Sequence, residues 1–119
     1  MIVEDEILIG LRIAAALRDV GCDVVGPLGT VARAAAEAER QSIDVALLDV
    51  RLHEKTVEPI AEILDRRHIP FAVVTANSPD RLPASLLERL YVPKPFTDQD
   101  IQTAVADLLN SKNDKHDVV

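Results

Sequence analysis

The chain of 119 residues has no tryptophan, one tyrosine, two phenylalanines and a single cysteine. So few aromatic side chains leave the core to aliphatic ones, which fits a hydrophobic fraction of 48%. One cysteine, Cys22, cannot form an internal disulfide, so we expect a reducing, cytoplasmic location. The sequence also lacks a charged leader followed by an apolar stretch, so we expect no secretory signal.

The chain also lacks long apolar runs and a surplus of basic side chains. Its uncharged runs fall far short of the roughly 20 residues that a membrane-spanning helix requires, so we expect no membrane segment. With 13 basic and 20 acidic residues the formal charge is −7, which disfavours direct contact with nucleic acid. Zinc-like spacing of ligands is absent, and the four glycines form no phosphate-cradling loop, which disfavours a nucleotide-binding Rossmann domain.

Short apolar runs alternate with longer amphipathic runs along the chain. This alternation is typical of strand–helix units around a parallel sheet that is covered on both faces. We therefore predict an α/β fold with five units. The predicted strands are residues 2–3, 24–25, 45–48, 71–74 and 90–92.

Five amphipathic segments are predicted as helices. The first covers about residues 6–20, with Ile13, Leu17 and Val20 on its apolar stripe, and the second covers residues 31–40 after a Thr30 cap. The others are residues 57–67, a short or mobile segment at 84–90 that two prolines limit to about two turns, and 97–109. We predict one domain over residues 1–110, a polar tail over 111–119 and no output domain.

Polar side chains stand where four of the predicted strands end. Because ligands of parallel α/β sheets bind beyond the carboxyl ends of the strands, these side chains are the candidate site. The polar side chains are those of Glu4, Asp5, Asp49, Thr75 and Lys94, and Ala76 follows Thr75 at the end of the fourth strand.

The candidate site contains three carboxylates that must share one place. Two carboxylates about 4 Å apart repel by roughly 4 kcal/mol at an effective dielectric constant near 20, so a cation is needed. Mg²⁺ prefers oxygen ligands and commonly joins carboxylates to a phosphate. Asp49 can then act as a nucleophile, while Lys94 and Thr75 hold the oxygens of a phosphoryl group. The pattern therefore favours phosphoryl transfer onto an aspartate.

Four motifs in this order, VEDE, LLDV, VVTA and YVPKPF, resemble the response-regulator receiver domains of two-component signalling. The resemblance covers about residues 1–110. It implies a flavodoxin-like, doubly wound (βα)5 fold with five parallel strands in the order 2-1-3-4-5. The segment PFAVVTANS is similar to the alphaproteobacterial PFxFATGY subgroup, although Ala72, Val73 and Asn77 do not fully match that motif.

The resemblance implies roles for the acidic residues. Asp49 is the phosphoacceptor, and Asp5, Asp49 and the backbone carbonyl of Arg51 bind Mg²⁺. Glu4 acts through metal-bound water. His53, four residues after Asp49, is expected to be an exposed loop residue without a role.

The resemblance also implies how the phosphoryl group is held and sensed. Lys94 pairs with the phosphoryl group, and the Thr75 hydroxyl and the Ala76 N–H bind it. The peptide between Lys94 and Pro95 is cis. Thr75 and Tyr91 form the switch pair.

The expected function is that of a stand-alone phosphoacceptor, which is not an enzyme beyond catalysing its own phosphorylation and dephosphorylation. A histidine kinase or phosphotransfer protein donates the group, and a downstream protein reads the surface of residues 76–109 on a monomer or weak dimer. The alternatives are a receiver fragment of a longer regulator or hybrid kinase, a degenerate receiver, and a haloacid-dehalogenase-type phosphatase. The last requires an acid two residues after the nucleophile, where this chain has Arg51.

Overall fold

The computed structural model of the chain describes residues 1–53 and 55–114. A parallel sheet has four strands in the order β1-β2-β5-β6: β1 (Ile2–Val3), β2 (Ala46–Leu48), β5 (Phe71–Thr75) and β6 (Leu90–Pro93). An antiparallel hairpin, β3 (Arg51–Leu52) and β4 (Lys55–Thr56), follows β2. The helices are α1 (Ile7–Arg18), α2 (Val31–Arg40), α3 (Glu58–Arg66) and α4 (Asp98–Asp114).

Strands β1, β2 and β5 are buried on both faces, as their continuously apolar sequences predict, whereas the edge strand β6 buries only Val92. Side chains of alternate strand residues point to opposite faces, so Val3, Leu48 and Val73 pack toward α2 and α3. Ile2 and Leu47 pack instead toward α1 and α4. The predicted doubly wound α/β architecture is confirmed. Within the described ranges, no helix combines the length and hydrophobicity that crossing a bilayer requires.

The predicted second strand does not form as a regular strand. Residues 25–28 nevertheless run beside β1: the Ile2 N–H donates to the Val25 carbonyl at 2.9 Å, and the Leu28 N–H donates to the Ile2 carbonyl at 2.9 Å. A single parallel bridge joins Val3 to Leu28. The segment therefore occupies the second-strand position in the predicted order, but the prediction of five regular strands is wrong there.

Two residues explain why this edge segment is irregular. Pro27 has no N–H to donate to the neighbouring strand. Gly26 has a φ of +106°, outside the extended region. The edge of the sheet next to β1 is thus held by a few hydrogen bonds rather than a continuous ladder.

Substituting Gly26 with Ala is expected to destabilise the fold more than substituting Gly21 with Ala. Both glycines have positive φ, +106° and +89°, so each alanine costs about 1 kcal/mol in backbone strain. A Cβ at Gly26 would also lie 2.6 Å from the Ile2 carbonyl oxygen, whereas nothing lies within 4 Å of one at Gly21. We expect an additional loss of about 2 kcal/mol in the free energy of unfolding, measured by urea denaturation. Equal losses would contradict the close approach.

Helices α1 and α2 agree with the sequence except at the end of α1. Ile13 and Leu17 are buried as predicted, but Val20 is exposed because α1 ends at Arg18. Thr30 caps α2 as predicted, since its hydroxyl accepts the N–H of Arg33 at 3.2 Å.

No α-helix lies between β5 and β6 among the described residues. Two short 3₁₀ turns, Pro79–Arg81 and Ala84–Leu86, stand there instead. The predicted helix over residues 84–90 is therefore wrong, because Pro83 ends regular structure on its N-terminal side and Leu90 already belongs to β6.

Helix α4 extends beyond the predicted end of the domain. Its cap is as predicted, since the Asp100 N–H donates to the Thr97 hydroxyl at 3.1 Å. It continues to Asp114, and Lys112 lies 3.5 Å from Asp44 in an ion pair. Residues 111–114 are thus helical rather than part of a tail, and residues 115–119 lie outside the described ranges.

Candidate functional site

Three carboxylates meet at the carboxyl ends of β1 and β2. Glu4 and Asp5 follow β1, and Asp49 follows β2, whose end is aligned with β1 by the Asp49 N–H donating to the Val3 carbonyl at 2.9 Å. One oxygen from each carboxylate lies within 4.8 Å of the other two. Glu4 is buried, while Asp5 and Asp49 are half-buried and reachable from solvent.

Lys94 brings a positive charge to these carboxylates. Its backbone N–H donates to the Thr75 carbonyl at 2.9 Å, which places it at the end of the β5–β6 pair. The peptide between Lys94 and Pro95 is cis in the structure. Nζ lies 2.8 Å from Glu4 Oε1 and 3.6 Å from Asp49 Oδ2. Burial would lower the pKa of Lys94, but the two carboxylates outweigh it and raise the pKa, so the ammonium stays charged.

Glu4 is the most deeply buried member of the cluster. Its Oε1 is fully buried, and the Lys94 ammonium, with Nζ 2.8 Å away, is the cation that contacts it. Burial raises the pKa of Glu4 to about 7, the Asp49 carboxylate adds to this, and Lys94 opposes it. A buried carboxylate oxygen facing two further carboxylates fits a hard divalent cation such as Mg²⁺.

Asp5 is held differently. Its Oδ2 accepts the backbone N–H of His53 at 2.8 Å, and the His53 Nδ1 lies 3.7 Å from the same oxygen. Burial would raise the pKa of Asp5, but hydrogen bonds, led by the one from His53, outweigh it and lower the pKa. Sequence reasoning predicted the exposure of His53 but missed this contact. Arg51 is exposed at the start of β3, and its carbonyl remains a predicted ligand.

A third set of contacts links the ends of β5 and β6. The buried Thr75 hydroxyl accepts the Asn77 N–H at 3.1 Å, and the Tyr91 hydroxyl donates to the Asn77 carbonyl at 2.6 Å. Ala76 is exposed between them. The two predicted switch residues are therefore joined through the backbone of Asn77, which sequence reasoning did not single out as functional.

The raised pKa of Glu4 predicts that the metal-free protein loses stability as pH rises. Between about pH 4.5 and 7 the folded chain keeps a proton on Glu4 that the unfolded chain releases. At about 1.4 kcal/mol per pKa unit, a rise from 4.5 to about 7 corresponds to roughly 3 kcal/mol over the whole range, of which about 2 kcal/mol is lost between pH 5 and 7.5. Urea denaturation in EDTA at pH 5 and 7.5 measures it.

The Glu4→Gln variant cannot ionise at this position, so it should lack this share of the pH dependence. Glu62→Gln, on the exposed side of α3, should retain it. The same pH profile in wild type and Glu4→Gln would contradict the raised pKa.

The comparisons with known proteins place the chain and its fold in one class, the receiver domains of response regulators. No family model matches the chain. The solution structure of SdrG from Sphingomonas melonis Fr1 is 39% identical, with a TM-score of 0.80 over 91% of this chain and 92% of SdrG. The magnesium-bound receiver domain of sensor histidine kinase PA1611 from Pseudomonas aeruginosa PAO1 is 25% identical, with a TM-score of 0.80 over 92% and 94%.

A curated relative points the same way. The transcriptional regulatory protein PdtaR of Mycobacterium tuberculosis is 32% identical over 113 residues, which cover 88% of this chain and 53% of PdtaR. The chain thus spans about half the length of the curated relatives it matches. It belongs to the response-regulator receiver family, whose members are signalling modules.

Proposed function

We propose that this chain is a cytoplasmic phosphoacceptor in which Asp49 receives a phosphoryl group from a phosphohistidine of a histidine kinase or phosphotransfer protein. The observation that carries the proposal is the position of Asp49, with the Lys94 ammonium 3.6 Å away and two further carboxylates beside it. A solvent-reachable carboxylate between a cation and a set of metal-binding oxygens is arranged for attack on phosphorus.

In the proposed reaction an oxygen of Asp49 attacks the phosphorus atom. The bond from phosphorus to the donor imidazole nitrogen breaks, the electron pair stays on that nitrogen, and an acyl phosphate forms on Asp49. Lys94, the Thr75 hydroxyl and the Ala76 N–H would hold the transferred oxygens. Later attack by water on the phosphorus would restore Asp49 and release inorganic phosphate. Both steps would use the chain's own residues, and hydrolysis would return Asp49 to the state that accepts another phosphoryl group.

We propose Mg²⁺ as the cation, held by Asp5, Asp49 and the Arg51 carbonyl, with Glu4 acting through a water molecule. The three carboxylates, which each place an oxygen within 4.8 Å of the other two, and the magnesium in the cleft of the PA1611 receiver support this assignment. When bound, the ion would neutralise the carboxylates and the charge of the phosphoryl group.

The test is incubation with acetyl phosphate and Mg²⁺ followed by intact-mass spectrometry. One acid-stable, base-labile phosphoryl group is expected, and EDTA should prevent its addition. Labelling that EDTA does not affect would contradict the cation-dependent mechanism. A second candidate function is that of the same receiver acting within a longer regulator. It is supported by the match to PdtaR, of which this chain covers 53%. The chemistry proposed for Asp49 is the same in both cases.

We further propose that residues 76–109 form the surface that a downstream protein reads. In the structure Thr75 and Tyr91 both contact Asn77, so a Thr75 hydroxyl drawn toward a phosphoryl group would release the Asn77 N–H. The segment that follows contains only short 3₁₀ turns and offers few regular hydrogen bonds that resist rearrangement.

Beryllofluoride, which mimics an acyl phosphate, should therefore change amide hydrogen exchange chiefly in residues 76–96. The measurement compares the protein with and without beryllofluoride by mass spectrometry. Tyr91→Phe removes the hydroxyl that contacts Asn77, so it should raise exchange near Asn77 before any activation. Changes confined to α1 and α2 would show that the signal leaves through another face.

A further inference from the structure

Two side chains fasten the segment between β5 and β6 to helix α3. The Ser85 hydroxyl donates to Glu58 Oε2 at 3.2 Å, and the Arg89 guanidinium donates to Asp65 Oδ2 at 2.5 Å. Glu58 is the first residue of α3, and Asp65 is the residue before its last. The segment is therefore held at both ends of α3.

Arg89 makes the more specific of these two contacts. Its guanidinium also lies 4.5 Å from the centroid of the Phe71 ring. Phe71 is buried at the start of β5, so the ring on which the guanidinium stacks is fixed by the core. The Arg89 side chain is 31% exposed, so solvent screens its ion pair less than it would a fully exposed one. We call Arg89 with its two contacts, Asp65 and Phe71, the Arg89 tether; lysine could not reproduce it.

Both elements that the Arg89 tether joins lead to the acidic cluster. The Val57 N–H, just before α3, donates at 3.1 Å to the carbonyl of Val50, which follows Asp49. On the other side, the four residues of β6 connect Arg89 to Lys94. The tether therefore joins two elements whose other ends lie at the cluster.

Backbone hydrogen bonds hold the segment only weakly. The N–H groups of Leu87 and Arg89 donate over 3.4 and 3.3 Å, beyond the usual range for such bonds. Leu82 and Leu86 are buried, but apolar packing is not directional. The side-chain contacts with α3 therefore decide how firmly the segment keeps one arrangement.

We propose that the Arg89 tether holds residues 76–89 against α3 in the unphosphorylated protein, and that phosphorylation of Asp49 favours the state in which the tether is broken. This inference rests on the proposed function, in which the same segment rearranges. Movement of the segment away from α3 requires the contact to open. The tether then sets the fraction of molecules that adopt the activated arrangement without phosphate.

The experiment measures amide hydrogen exchange in residues 84–89 of the full chain by NMR. Asp65→Asn removes the acidic partner of the tether, and Arg89→Gln removes the guanidinium. Glu39→Gln is the matched control, because Glu39 pairs with Arg66 between α2 and α3. The side chains of Glu39 and Asp65 are 48% and 47% exposed, so the two variants remove the same charge at similar exposure.

Without phosphate, we expect exchange in residues 84–89 to be about threefold faster in Asp65→Asn than in wild type, and unchanged in Glu39→Gln. Arg89→Gln also loses the stack on Phe71, so its exchange should be about tenfold faster. The double variant should match Arg89→Gln, because the contact with Asp65 is then already lost. Additive effects in the double variant, or wild-type exchange in Asp65→Asn, would overturn the proposal.

Titration with beryllofluoride at fixed Mg²⁺ tests the link to activation. Asp65→Asn should lower the half-saturating beryllofluoride concentration by about threefold, since the shifted equilibrium appears in the apparent affinity of a ligand that selects the activated state. Fluorescence of Tyr91, the one tyrosine of the chain, follows the binding. A contact that only stabilises the fold would not raise this affinity, so unchanged or weaker binding would overturn the proposal.

Acetyl phosphate labelling separates this proposal from the proposed function. Wild type and Asp65→Asn should both be labelled on Asp49. Labelled wild type, together with wild-type exchange in Asp65→Asn, would refute the tether alone. Wild type that accepts no phosphoryl group, together with faster exchange in Asp65→Asn, would refute the phosphoacceptor function alone.

Discussion

Asparagine in place of Asp49 is expected to abolish labelling by acetyl phosphate in the presence of Mg²⁺. A neutral amide oxygen is a weak nucleophile and a weak ligand for a hard cation, so the substitution removes both proposed roles of this residue. The change is almost isosteric, and the backbone contact from Asp49 to Val3 is retained. Labelling should therefore be lost while the fold is kept. Intact-mass spectrometry measures the labelling, and thermal unfolding measures the stability of the variant.

The matched control for Asp49→Asn is Asp107→Asn on the exposed side of α4. It removes the same charge from the chain far from the carboxylate cluster, so labelling should be unchanged. If Asp49→Asn accepted a phosphoryl group to the same extent as wild type, peptide mapping would locate another acceptor. The assignment of Asp49 would then be wrong.

Removing the Asp5 carboxylate should weaken Mg²⁺ binding by at least about 100-fold, since even residues that only orient metal ligands are worth roughly 10- to 100-fold. Asp5 is half-buried, is kept ionised by its hydrogen bonds and lies beside Glu4 and Asp49. Calorimetric titration with Mg²⁺ measures the effect directly. Both Asp5→Ala and Asp5→Asn should show it.

The two substitutions at Asp5 differ in one contact. Asparagine keeps an acceptor for the His53 N–H, which Asp5 accepts at 2.8 Å, whereas alanine leaves that donor to solvent. Asp5→Asn should therefore be more stable than Asp5→Ala by about 1 kcal/mol in the absence of metal. If both variants bound Mg²⁺ as wild type does, Asp5 would have only a structural role near the start of α1.

The meeting of Glu4, Asp5, Asp49 and Lys94 could be predicted because it follows from topology. Each residue stands directly after an apolar strand, and the carboxyl ends of parallel strands share one edge. Strand ends are easy to locate when apolar runs are short and buried on both faces. The predicted gathering at one edge is confirmed for these four side chains, while their chemical roles stay predictions.

Other features of the site and of the sheet edge depend on backbone conformations that cannot be predicted from the residue pattern. The donation from the His53 N–H to Asp5 requires a left-handed histidine, and no residue pattern signals one at that position. The link through Asn77 uses its backbone N–H and carbonyl, which every residue type other than proline possesses. The irregular edge beside β1 was not predicted, because Val24 and Val25, the apolar pair before Gly26, are typical of a strand.

In the proposed function, the 3₁₀ turns between β5 and β6 would limit how completely phosphorylation separates the two conformational states. A segment that moves at little cost responds to a small differential free energy, because a ligand shifts an equilibrium only by its preference for one state. Thermal motion populates the minor state for the same reason, because few regular hydrogen bonds in this segment oppose the change. A gap of about 1.4 kcal/mol leaves close to one molecule in ten in the minor state. If residues 76–109 form the proposed surface, a fraction of the unphosphorylated protein should already bind the downstream protein, and the amount of ordering that binding imposes on residues 76–89 should set how large this fraction is.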